Sequence, residues 1–198
     1  MRLQSLASAL FPILLFSADA LASDGVFEIN QACATSTGGC FPGDAGGYPV
    51  TIAQAGSFRL TGNLDLTASQ TGIQITASNV TIDLGGFEIH GPNTCTFAFG
   101  QPGPVCNTPG AGRAIVAQFP AIGTTVRNGS IRGMTSHGVD LSLDAHVEDV
   151  IVTQSGGTGL RLAGGAHVER CTVRLNADRG VYSEDSSEIV DSTIAANR

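Results

Sequence analysis

Between residues 138 and 198 the chain runs through one unit three times: GVDLSLDAHVEDVIVTQSGGT, GLRLAGGAHVERCTVRLNADR and GVYSEDSSEIVDSTIAANR. The opening glycines, Gly138, Gly159 and Gly180, are 21 residues apart. The apolar positions keep their phase. Val139, Leu160 and Val181 follow the glycine by one step, Val147, Val168 and Ile189 by nine, and Val152, Val173 and Ile194 by fourteen. Around each, apolar and polar residues alternate with period two, which is the pattern of a short half-buried strand. A unit this small cannot bury its own apolar face, whereas stacked copies bury a continuous core. Three strands of three to five residues per turn, with Gly, Ser, Asn and Asp at the corners, predict an all-β parallel β-helix. The competing 21-residue architecture, a leucine-rich repeat, lacks its leucine ladder here, and β-branched residues dominate instead.

Three further stretches extend the pattern: YPVTIAQAGSFRLTGNLDL (48–66), NVTIDLGGFEIHGP (79–92) and TTVRNGSIRGM (124–134). With the repeats, they make the chain resemble secreted bacterial right-handed parallel β-helix repeat proteins, a broad group that shares its architecture with pectate lyases. The resemblance covers nearly all of the mature chain. It implies a right-handed single-stranded solenoid, and it implies architecture more strongly than chemistry.

Residues 1–22 carry Arg2, an apolar run from Leu6 to Phe16 and a small-x-small end at Ala20-Leu21-Ala22. This is the pattern of a secretory signal peptide cleaved after Ala22. The apolar run is shorter than the roughly 20 residues that span a bilayer, and no other membrane segment is expected. Export to the periplasm, cell surface or medium follows. Residues 23–66 lack the 21-residue rhythm and are expected to form an amino-terminal cap over the first coil. The repeats are then expected over 67–198, starting near Gly72. The first coil has Ile73, Ile75, Val80, Ile82, Leu84, Phe87 and Ile89 inward, and the second has Ile115, Val126 and Ile131. A Pro- and Gly-rich insertion, 92–111, separates them. The chain stops at Asn197-Arg198 with no sign of a carboxy-terminal cap, so the reading is of a solenoid truncated at that end or covered there by another chain.

Five cysteines suit an exported protein with two local pairs, Cys33 with Cys40 and Cys95 with Cys106, each stapling a segment without strand periodicity. Neither pair has zinc-site spacing. Cys171 replaces Val150 and Ser192 of the neighbouring copies and reads as a buried stack member.

A net charge of −7 and the absence of lysine disfavour nucleic acid and anionic membranes as partners. Stacked coils lie about 4.8 Å apart, so repeated polar positions become columns. One column is His146, His167 and Glu188, with Glu148 and Glu169 two steps on. These side chains could bind a divalent ion or hold an acid beside a base, but a solvated strand face is the favoured reading, because a repeated sequence repeats its surface residues. Asp149, Arg170 and Asp191 form a charge ladder, and Asn176 and Asn197, after Ser155, an asparagine ladder resembling those of β-helix turns.

The resemblance also implies what an enzyme on this fold would need. Lyases of the pectate type hold calcium on clustered Asp and Glu and use an arginine as base. Here Arg161 and Arg179 could face Asp140 and Glu184, but no such acidic cluster stands out, and calcium would enter only in a lyase. The hydrolase pattern is represented by no more than His137-Gly138 with Asp140 nearby. The candidate catalytic residues are therefore Arg161, His146, His167, Glu148, Glu169 and Glu188, and no cofactor is indicated. The expected function is an exported β-helix domain that binds extracellular or cell-surface polysaccharide. The alternatives are a polysaccharide lyase or other carbohydrate-active enzyme, and a structural or adhesin-type solenoid.

Overall fold

The computed structural model describes residues 25–67, 69–107 and 110–198; the expected signal peptide, 1–22, lies outside the described residues. After β1 (Phe27–Ile29) and a four-residue helix α1 (Gln31–Ala34) come β2 (Val50–Ile52), β3 (Gly56–Leu60), β4 (Leu64–Asp65), β5 (Ile73–Ile75), β6 (Val80–Asp83) and β7 (Glu88–His90). Next are β8 (Cys95–Phe97), β9 (Pro104–Cys106), β10 (Ile115–Ala117), β11 (Thr125–Arg132), β12 (Val139–Leu141) and β13 (His146–Thr153). The last are β14 (Leu160–Leu162), β15 (His167–Glu169), β16 (Thr172–Arg174), β17 (Val181–Ser183), β18 (Glu188–Val190) and β19 (Thr193–Ala195).

Among the described residues all pairings except β8 with β9 are parallel and join one turn of the chain to the next, which makes the protein a parallel β-solenoid. Three faces result. The first stacks β2, β5, β10, β12, β14 and β17. The second stacks β1, β3, β6, the first half of β11, the first half of β13, β15 and β18. The third stacks β4, β7, the second halves of β11 and β13, β16 and β19. Val139 pairs with Leu160 and Leu160 with Val181, Val147 with Val168 and Val168 with Ile189, and Val152 with Val173 and Val173 with Ile194. The 21-residue period is thus the register of the stack.

The inward columns form the core. Ile73, Ile115, Val139 and Leu160 are fully buried on the first face, and Val152 and Val173 on the third. Each such side chain contributes roughly 1.5–3 kcal/mol on burial. Phe87 is only partly buried against this core. Ile189 and Ile194, on strands β18 and β19, are 43% and 42% exposed.

Corners are made by single residues in the left-handed conformation. Each regular coil has three, in phase: Asp144, Asp149 and Gln154; then Gly165, Arg170 and Leu175; then Ser186, Asp191 and Ala196. Such a φ costs a non-glycine residue roughly 1–2 kcal/mol, a cost offset by the ladder bonds and burial on both sides of the corner. It also explains why β11 and β13 run for eight residues where strands of three to five were expected. Each strand runs on through its left-handed residue, Asn128 or Asp149, and the pairing resumes in the same register at Gly129 with Val150.

The opening glycines are required for space. A Cβ on Gly159 would lie 2.6 Å from Val173 Cγ1 and 2.7 Å from Asn176 Nδ2, and one on Gly138 2.5 Å from Val152 Cγ1.

The boundary of the expected cap differs from the sequence reading. Val50–Asp65 already forms a complete coil, with β2 on β5, β3 on β6 and β4 on β7. Its partners are 23 residues on at Val50–Ile73, 24 at Gly56–Val80 and 25 at Leu64–Ile89. Extra corner residues such as Gly85 and Gly86 had put this coil out of phase. The cap proper is shorter. Phe27, Phe41 and Phe58 cluster at centroid distances of 5.1–5.3 Å, and Cys33–Cys40 is disulfide-bonded. The buried Asp44 carboxylate accepts from the Cys40 and Thr51 backbone N–H groups, each at 2.8 Å. Tyr48 donates to Gln31 Oε1 at 2.7 Å; burial, with the Asp65 charge, pushes its phenol up to about 12.

The insertion is likewise more regular than its sequence. β8 and β9 form an antiparallel hairpin closed by the Cys95–Cys106 disulfide. Cys95 is buried beside the Ser155 carbonyl, Gly103 reaches Arg198, and Phe97 and Phe99 project into solvent. Among the described residues no helix is long and apolar enough to cross a membrane.

Candidate functional site

The strand register places Val116, Asp140, Arg161 and Tyr182 side by side along the first face. One position before each opening glycine, or its equivalent Ala114, stand Arg113, His137, Thr158 and Arg179. Asp140 is the centre of the two columns. Its carboxylate accepts from Arg161 Nη1 at 3.0 Å, and Arg113 Nε lies 3.4 Å from its other oxygen. Beneath this cover only 12% of the Asp140 side chain remains exposed. Arg113 Nε is itself buried without a hydrogen bond.

His137 is half-buried beside this trio. Its Nδ1 accepts from the Thr158 backbone N–H at 3.1 Å, and the Thr158 hydroxyl donates to Asp178 at 2.9 Å. Burial holds the His137 imidazole below its usual pKa. Arg113 and Arg161 push the same way, and Asp140 opposes them. The neutral ring is the form the geometry needs, because the Thr158 N–H uses the Nδ1 lone pair.

Between these columns and the following corner runs an open groove of about 180 Å³, lined by Ala117, Phe119, Asp140, Arg161, Tyr182 and Glu184 among others. Phe119, just beyond β10, is 80% exposed. At the opposite end the Arg179 guanidinium lies 5.1 Å from the centroid of the Tyr182 ring. The groove thus has an aromatic ring towards each end and a polar floor between them. Arg161 faces Asp140 as the repeat alignment suggests, whereas Arg179 covers Tyr182 rather than pairing with Glu184.

The remaining candidates lie on the second face, away from Arg161. His146, His167 and Glu188 are in register there, as are Glu148 and Glu169. The two imidazoles are 5.5 Å apart, and His167 lies 3.4 Å from Glu188 and 3.7 Å from Glu169. Arg127 lies 3.5 Å from Asp83 and 3.8 Å from Glu148. Arg170 is bonded through two nitrogens to Asp149, each at 2.8 Å, and contacts Glu148 and Glu169. These bonds hold Asp149 below the usual carboxylate range and raise Arg170. Among the described residues no group of three or more His, Cys, Asp or Glu is placed to hold a metal ion. The chemistry of this face is that of an exposed ion-pair network.

The corner after the third face carries the asparagines. Asn176 is fully buried and accepts from the Ser155 N–H at 2.9 Å; Asn197 accepts from the Asn176 N–H and side-chain amide at 3.1 and 2.9 Å. Cys171 is a buried free thiol, 3.4 Å from the Val147 carbonyl, and its pKa is raised by burial.

Phe119, Arg113 and the His137–Thr158 contact were not singled out as site features in the sequence. The two latter are recoverable from the repeat register, because residues one step before the glycine must stack. Phe119 has no such signal, since it lies in a coil of irregular length. No protein-family model, no curated protein and no solved structure matches the chain.

Proposed function

We propose that the protein is an exported β-helix domain that binds extracellular or cell-surface polysaccharide in the groove of the first face. The observation that carries this reading is the Asp140–Arg161 pair set between the Phe119 and Tyr182 rings. The half-exposed Arg161 guanidinium, oriented by Asp140, offers donors to hydroxyls, and the exposed Phe119 ring offers a face to the C–H side of a sugar. At about 180 Å³ the groove is smaller than the 300–1,000 Å³ typical of pockets that enclose a small molecule, and it is open along the stack. An extended polymer suits it. The signal-like residues 1–22 and the two disulfides support an oxidising, exported location, and the resemblance to secreted β-helix proteins of pectate-lyase-like architecture supports a glycan partner. The test is retention of the purified protein in gels containing polysaccharides; migration unchanged in all of them would sink the reading.

A second reading, a polysaccharide lyase or related enzyme, is favoured by one observation: neutral His137 sits beside Asp140 and two arginines, a base next to cations suited to a developing anion. Release of unsaturated sugars from a uronate polymer, monitored by absorbance with and without calcium, tests it.

A further inference from the structure

The charges around the groove cancel. Arg113, Arg161 and Arg179 stand against Asp140, Asp178 and Glu184, three cations to three carboxylates, and His137 is held towards its neutral form. Asp140 and Asp178 are already engaged, by the two arginines and by Thr158 respectively. The face therefore has no surplus of positive charge for a polyanion, and the chain as a whole carries −7. A polymer with a carboxylate or sulfate on each unit would meet long-range repulsion with no local compensation. What the face does supply is aromatic ring area at two separated points, the largely exposed Phe119 and the partly buried Tyr182, whose ring Arg179 covers on one side. Phe119 follows β10 and Tyr182 is on β17, three coils further along the first face, or about 14 Å at the inter-coil spacing. That span exceeds one sugar ring, so both aromatics contact the same chain only if it lies along the solenoid axis.

From these relationships we infer that the ligand is an uncharged polysaccharide, lying along the axis of the solenoid and held by stacking on Phe119 and Tyr182 over the Arg161–Asp140 pair. This rests on the polysaccharide reading above and narrows it to a chemical class. Two consequences follow from the physics. Retention depends on ring faces more than on charge, and added salt, which screens ionic attraction, leaves it largely unchanged.

The experiment is affinity electrophoresis of the full protein through gels containing a neutral β-glucan, xylan or galactomannan, with polygalacturonate and alginate in parallel at low and high salt. The expected result is retardation by a neutral polymer that persists at high salt, falls at least tenfold in apparent affinity for Phe119→Ala and Tyr182→Ala, and is kept by Tyr182→Phe. Phe119 is largely exposed, and unchanged thermal unfolding of Phe119→Ala separates lost binding from lost folding. Preferential retention by the uronate polymers would overturn the inference and leave the polysaccharide reading standing. Retention by neither class would overturn both. Neutral-polymer binding that is insensitive to both aromatic substitutions would remove the groove as its site.

Discussion

Asp140 and Arg161 occupy the same position in successive coils, 21 residues apart, and meet at 3.0 Å on the first face of the solenoid. The repeat thus creates a charge pair no single copy contains. Arg161 is 50% exposed, so its contribution to stability is about 0–1 kcal/mol. Arg161→Ala is expected to leave the urea midpoint nearly unchanged while weakening polysaccharide retention severalfold. A large loss of stability with retention intact would make the pair structural.

One column contains a built-in comparison for the core. Val168 is buried and Ile189, its partner in the next coil, is 43% exposed. Val168→Asp puts a carboxylate where no partner can reach it, at a cost on the order of 4 kcal/mol or more. Ile189→Asp should cost less than half of that. Urea unfolding of both variants measures the difference, and equal losses would contradict the inward assignment.

The asparagine corner predicts a hydrogen-bond penalty. Asn176→Ala strands the Ser155 N–H and removes the side-chain amide donor to Asn197 while leaving the backbone one, an expected loss of about 1–3 kcal/mol for buried groups left unpaired. Gly159→Ala, whose Cβ would press on Asn176 and Val173, should cost about as much by overpacking. Equilibrium denaturation of each variant is the check.

His137 sets a pH dependence. Its folded pKa lies below the ordinary 6.5, so the unfolded chain binds this proton more readily than the native one. The contribution is present in full above pH 6.5 and is lost as pH falls from there through the lower folded value. His137→Asn should flatten the stability curve in that window by comparison with the parent protein. Curves that remain parallel between about pH 7 and 5 would refute the assignment.

Among the described residues the Cys95–Cys106 hairpin pairs only with itself in strand terms, and its loss should be local. Cys95→Ser with Cys106→Ser is expected to open the segment to proteolysis near Phe99 while thermal unfolding of the stacked coils shifts little. A collapse of the whole cooperative transition would show that the hairpin supports the stack.

Everything that repeats was legible in the chain. A residue's partner in a parallel ladder is the residue one period away, so the spacing of Gly138, Gly159 and Gly180 dictated the pairing of Val147 with Val168 and of Asp140 with Arg161. Alternation dictated which side chains face inward. The two local cysteine pairs were legible for a related reason, because short separations leave few alternatives. The tertiary structure decided what the period does not carry. Coils of unequal length hid the turn from Val50 to Asp65, since extra corner residues shift the phase without changing the stack. The corners at Arg170 and Leu175 adopt a glycine-like backbone with no glycine to announce it, because burial on either side outweighs the local strain. Nor does one dimension show which columns share a face. His167 and Arg161 are six residues apart, yet a corner at Gly165 turns them onto different sides. Phe119 joins Tyr182 along one groove only because three coils of chain bring them there. Period fixes neighbours along the axis; the angle of each corner fixes neighbours around it, and that angle is set by packing.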